Sequence, residues 1–187
     1  MKATFAFALA LYMAQLAGVS LLFFKGDPSV SISENIAEID APFNAIVQLC
    51  FILPLTGFTL LHRIDSNPPI LNLLYGMLIT AAQSVIVVTY KVSLPIHVAA
   101  SIATFGLLPI IGFIRIRRGL YVVDRFMMLF AAVGTLLFAL AAVTRLDIER
   151  MDQRPALVAA EWSMVFALVL LMHQGVVEHL VAPASRT

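Results

Sequence analysis

The sequence predicts an all-α integral membrane protein: a six-transmembrane-helix bundle, both termini cytoplasmic, with a long non-cytoplasmic loop between helices one and two. Three observations carry this. Hydrophobic residues make up 61% of the 187, and Asp, Glu, Lys and Arg only 12%. With a mean hydropathy of +0.96, a water-soluble domain would expose large apolar patches. Six stretches are nearly free of charge and about 20 residues long, the length one helix needs to cross a bilayer. Their Leu, Ala, Phe and Val content lacks the roughly ten-residue alternation of a lipid-embedded barrel.

The first stretch, Thr4 to Phe24, follows Lys2 as a signal peptide would. Its apolar run is longer than a signal h-region, and "QLAGVSLLFFKG" has no small-x-small cleavage site at its end, so it reads as a membrane helix. "GDPSVSISENIAEIDAP", residues 26 to 42, is the longest polar break. Within it Ile32, Ile36 and Ile39, spaced four and three apart, suit a short amphipathic turn on the membrane; a plain solvated loop is the alternative. The second stretch, Phe43 to Leu61, holds the single cysteine, Cys50, so there is no disulfide framework. The remaining four run Ile70 to Tyr90, Pro95 to Ile114, Phe126 to Thr144 and Glu161 to Leu180. Links as short as "HRIDSNPP" and "KVSL" make helices two to four antiparallel neighbours. Pro54 and Pro109 fall inside spans and predict kinks. Residues 1–187 form one domain, without repeats or a soluble module.

Basic residues set the orientation. Lys2, Arg63, Arg115, Arg117, Arg118, Arg125 and Arg186 fall on one side, and Lys25, Lys91, Arg145, Arg150 and Arg154 on the other, seven against five. The "RIRRG" link is the strongest local signal and places the termini in the cytoplasm. Acidic residues cluster on the opposite side, where the polar loop lies.

Polar side chains in hydrocarbon are costly and face a bundle interior or a cavity. Asn44 and Gln48 begin the second helix, Gln83 and Ser84 lie near the outer end of the third, and His97, Ser101 and Thr104 share a face of the fourth. Glu161 opens the sixth at a similar depth, and Gln15 lies in the outer half of the first. The set predicts either an outer-leaflet polar cavity roofed by the loop, or a series of helix-helix hydrogen bonds. In the cavity reading His97 and Glu161 form a proton-transfer pair. The inner end of the sixth helix carries "MHQGVVEH". An isolated His173 there reads as a helix-packing residue, since paired haem histidines at matching depths are missing. No H-E-x-x-H, Gly-rich phosphate loop or G-x-S-x-G elbow occurs, so no metal or other cofactor is expected.

"DPSVSISENIAEIDAP" after a first membrane helix resembles the P-S-[VI]-S…P lumenal loop of the Frag1/DRAM/Sfk1 family, particularly its GPI-anchor remodelling branch. "LPIHVAASIATFG", "AAEWSM" and "LMHQGVVEHL" resemble that family's start of helix four, start of helix six and terminal His-acid pair, in order across nearly the whole chain. Val176 and Val177 depart from the family's aromatic pair. The resemblance implies six helices with cytoplasmic termini. It also implies a part in fatty-acid remodelling of lipid-anchored proteins, or, in other branches, regulation of autophagy or phosphoinositide signalling. Carried over by position, the matching residues are Pro28, Ser29, Ser31, Pro42, His97, Glu161, His173 and Glu178.

The expectation is therefore a lipid-binding protein that assists acyl exchange, as an acyltransferase-type activity, on a membrane lipid or lipid-anchored substrate. His97 is the expected base, Glu161 its partner, and His173 a further catalytic candidate from the resemblance. Ser29, Ser31, Ser33, Glu34, Asp40, Gln48, Gln83, Ser101 and Trp162 are expected around the substrate. A non-catalytic lipid sensor, with Arg115, Arg117 and Arg118 on anionic headgroups, and a small transporter are the competing readings. No nucleic-acid partner is expected. The expected location is the Golgi or endoplasmic reticulum in a eukaryote and the plasma membrane in a bacterium.

Overall fold

The computed structural model describes residues 2–27, 29–38, 41–62, 69–89, 91–117, 122–143 and 155–181. These form seven helices: α1 (Lys2–Lys25), α2 (Ile32–Glu38), α3 (Ala41–His62), α4 (Pro69–Val87), α5 (Leu94–Arg117), α6 (Val122–Val143) and α7 (Pro155–Val181). Pro69 and Pro155 stand first in their helices, where a missing N–H costs nothing. In α1 the buried positions Ala8, Leu11, Gln15, Gly18 and Leu22 recur every three or four residues, one stripe of a 3.6-residue helix. Phe7, Met13 and Phe24 point outward and are exposed, as are Leu73, Ile102 and Leu136 elsewhere in the bundle.

An outer surface of this kind suits lipid, not water. Five helices are long and apolar enough to cross a membrane: Phe5–Lys25, Pro69–Val87, Leu94–Arg117, Val122–Ala141 and Pro155–Gln174. The described apolar part of α3, Asn44–Gly57, is shorter, although the helix itself has 22 residues. The chain is a helical integral membrane protein.

The six long helices close into a ring, α1 against α3, then α4, α5, α6 and α7, which returns to α1. Facing residues fix their directions. Tyr12 meets His173 and Phe23 meets Trp162, so α1 and α7 are antiparallel. Arg115 meets Asp124, and the Thr135 hydroxyl donates to the Phe105 carbonyl at 2.6 Å, so α5 and α6 are too. Gly18 lets α1 approach α3, since a Cβ there would lie 2.8 Å from Cys50 Cβ. Pro54 interrupts the hydrogen-bond ladder of α3. Near it, the Gln83 amide of α4 donates to the Ile52 carbonyl at 3.3 Å and to Thr56 Oγ1 at 2.6 Å.

One end of the bundle holds a buried ionic group. Arg115 is 1% exposed and Asp124 0%. Arg115 Nε donates to Asp124 Oδ1 at 2.7 Å, and Nη1 to the Tyr75 hydroxyl at 2.6 Å. This corrects the expectation for the "RIRRG" link, because Arg115 turns into the bundle, where its charge is neutralised, and offers nothing to lipid headgroups. Arg117 is exposed, its guanidinium over the Phe113 ring at 4.9 Å. Arg118 lies outside the described residues.

Candidate functional site

At the opposite end, the polar loop folds back onto the ring and α2 touches α1, α3, α4 and α7. Its sequence explains why it holds a shape. Asn35 closes the approach by accepting from the Asp27 amide at 2.8 Å and donating to the Asp27 carbonyl at 2.8 Å. Gly26 makes room for this: a Cβ there would sit 2.7 Å from Asn35 Oδ1 and 2.6 Å from the Leu22 carbonyl. "SISE" is a capping-box sequence, and the Ser31 hydroxyl accepts the Glu34 amide at 3.2 Å while the Ser31 carbonyl accepts Asn35 N at 2.9 Å. Ile32 and Ile36 are buried against the core, each contributing about 1.5–3 kcal/mol of apolar transfer energy. Ile39 lies outside the described residues.

Glu161, at the start of α7, is the polar centre. Its Oε2 accepts the Ile32 amide at 2.6 Å and the Ser33 amide at 3.2 Å, and its Oε1 accepts the Ser33 hydroxyl at 2.9 Å. Hydrogen bonds to a charged acceptor are worth about 1.5–3 kcal/mol each, so this carboxylate latches α2 to the bundle. His97, near the start of α5, is 2% exposed. Its Nδ1 lies 2.9 Å from the Val88 carbonyl. A carbonyl only accepts, so Nδ1 carries a proton and, in the neutral ring, the lone pair is on Nε2.

Beside this group is a partly open cavity of about 80 Å³. Ile32, Ser33 and Ile36 of α2 line it, together with Phe51, Ser101, Thr104, Phe105, Glu161 and Met164 of the ring. The volume is several times the roughly 10–15 Å³ that admits one water. With a lining that is almost entirely apolar, the cavity suits hydrocarbon.

Of the residues expected at a site, Ser33, Ser101 and Glu161 line this cavity, whereas His97 is buried and does not line it. Ser31 is buried as the α2 cap, with its Oγ 3.3 Å from Ser33 Oγ. Glu34 is half-buried and does not line the cavity. Ser29 is exposed and donates through its amide and hydroxyl to Asp27 Oδ1 at 2.8 and 2.6 Å, bonds that hold the Asp27 carboxyl below its ordinary range. Gln48 is half-buried away from the cavity, and Gln83 is spent on the α3–α4 contact. Trp162 packs edge-on against Phe23 at 6.2 Å. His173 lies against Tyr12 at 5.5 Å, about 18 Å along α7 from Glu161 at 1.5 Å per residue. The structure thus keeps it apart from His97 and Glu161. Pro28 and Asp40 lie outside the described residues, as does the Glu178 side chain.

Phe51, Phe105 and Met164 complete the cavity. In the sequence they look like any other apolar residue of a span. No protein-family model, curated protein or solved structure matches the chain.

Proposed function

We propose that this protein binds a membrane lipid at the outer leaflet, one acyl chain entering the cavity with its ester region beside Ser33 and Glu161, and that it assists acyl exchange on that lipid. One observation carries the reading: an apolar cavity inside a lipid-facing bundle is lined by Ser33 and Glu161, hydrogen-bonded to each other. In the proposed topology α3, with its 22 residues, is the sixth span, the termini are cytoplasmic and α2 lies on the outer side. The four motifs of the Frag1/DRAM/Sfk1 resemblance fall on the loop, α5 and both ends of α7, which supports a family role in lipid or GPI-anchor remodelling. If the chain is eukaryotic, the compartment is the Golgi or endoplasmic reticulum.

A second reading, a non-catalytic lipid sensor, has its own support. Both oxygens of Glu161 are taken by α2, an arrangement in which lipid in the cavity would bias the position of α2. Exposed Arg117 would then meet anionic headgroups at the other end. Mass spectrometry of lipids copurified with the protein tests the shared premise. A stoichiometric diacyl lipid or acylated anchor is expected, depleted in an Ile36→Trp variant that fills the cavity. Purified protein with no bound lipid, and no uptake from vesicles, would overturn both readings.

A further inference from the structure

We propose that Ser33 is a nucleophile, activated by Glu161, that carries the acyl group as a covalent ester; this rests on the lipid-binding reading above. The Ser33 hydroxyl donates to Glu161 Oε1 at 2.9 Å. It is 4% exposed and lines the apolar cavity together with that carboxylate. Serine is a weak nucleophile until a neighbouring base takes its proton. The base in hydrogen-bond contact is the glutamate. His97 holds its Nδ1 against the Val88 carbonyl at 2.9 Å, and the carboxylate in contact with the Ser33 hydroxyl is Glu161. Ser31 differs from Ser33, because its oxygen accepts the Glu34 amide in capping α2.

The chemistry closes without any added cofactor. Ser33 Oγ attacks the carbonyl carbon of an acyl ester while its proton passes to Glu161, and the carbonyl π pair moves onto oxygen. Collapse re-forms the carbonyl and breaks the bond to the leaving alcohol, which departs with the proton from Glu161. An acceptor alcohol then attacks the Ser33 ester, giving its proton to Glu161. The new ester leaves, and Ser33 recovers the proton. Water in place of the acceptor would give a free fatty acid. The substrate class is an ester of a fatty acid with a lipid alcohol.

The test is intact-protein mass spectrometry after incubating the full chain, in nanodiscs, with p-nitrophenyl octanoate. One octanoyl group is expected, mapped to Ser33 after proteolysis. It should be absent in Ser33→Ala and form about 10²–10⁴-fold more slowly in Glu161→Gln, the range of a lost general base. Ser84→Ala, whose hydroxyl bonds its own helix at the Thr80 carbonyl, should label as the parent does. Because α2 is latched through the same atoms, Ser33→Cys guards against a mere folding defect, and its thiol should take the octanoyl as a hydroxylamine-labile thioester. No adduct on the parent protein, an adduct on another residue, or a rate indifferent to Glu161→Gln would overturn the proposal. If lipid still copurifies in those cases, the lipid-binding reading survives and only the nucleophile falls.

Discussion

Arg115 shows what a single residue's position in sequence conceals. It stands in "RIRRG", a run that reads as a cytoplasmic basic link facing anionic headgroups, yet it is buried against Asp124 and Tyr75. Burying two charges is costly, and removing one partner strands the other, typically at about 3–5 kcal/mol. Arg115→Ala should therefore lower stability by that amount in a thermal or denaturant melt, whereas Arg117→Ala, at an exposed site, should change it by less than about 0.5 kcal/mol. Replacing both partners at once, Arg115→Met with Asp124→Leu, should recover most of the loss, because the desolvation penalty disappears along with the attraction. Equal, small effects from Arg115→Ala and Arg117→Ala would mean that the ionic group is open to solvent.

At the scale of the element, the most informative piece is α2. Much of it was legible. The spacing of Ile32, Ile36 and Ile39 marks an apolar face, a local consequence of the chain's own geometry. That the loop roofs the end of the bundle holding Glu161 was expected; which loop atoms bind the carboxylate was not legible, because those contacts join residues 128 and 129 positions apart. Sequence separation of that size carries no local pattern. The same holds for Gln83, which looked like a cavity residue and is spent on the Ile52 carbonyl and the Thr56 hydroxyl of α3, and for Glu34, whose charge drew attention while the neighbouring serine made the contact. The latch has a measurable consequence. In Glu161→Gln the acceptor loses its charge, and in Asn35→Ala the loop loses its closing pair, so hydrogen exchange at the Ile32 and Ser33 amides should accelerate in both variants. Amides within the α6–α7 pair should not change. If both variants leave α2 exchange as slow as in the parent, burial of Ile32 and Ile36 alone holds the segment.

At the scale of the whole molecule, the open matter is how many times the chain crosses the bilayer, and the fold makes this a question of parity. Composition disclosed that the helices are membrane helices, since apolar runs of about 20 residues have few other uses. It leaves α3, a 22-residue helix with Pro54 inside it and a described apolar part of Asn44–Gly57, as the helix whose crossing is to be tested. Ser29 is exposed before α3, and Arg117 is exposed at the end of α5. Between them lie α3, α4 and α5. If all three cross, the two positions face opposite sides. If α3 does not, only two crossings intervene and the positions share a side. In a background with Cys50→Ala, a change that keeps the Cβ packed beside Gly18, Ser29→Cys should react with a membrane-impermeant maleimide from the non-cytoplasmic side of sealed vesicles. Arg117→Cys should react only after permeabilisation. Labelling of both from the same side would remove α3 from the count and leave five spans, and the α2 cavity could no longer be assigned to the outer leaflet by the basic residues of the α5–α6 link.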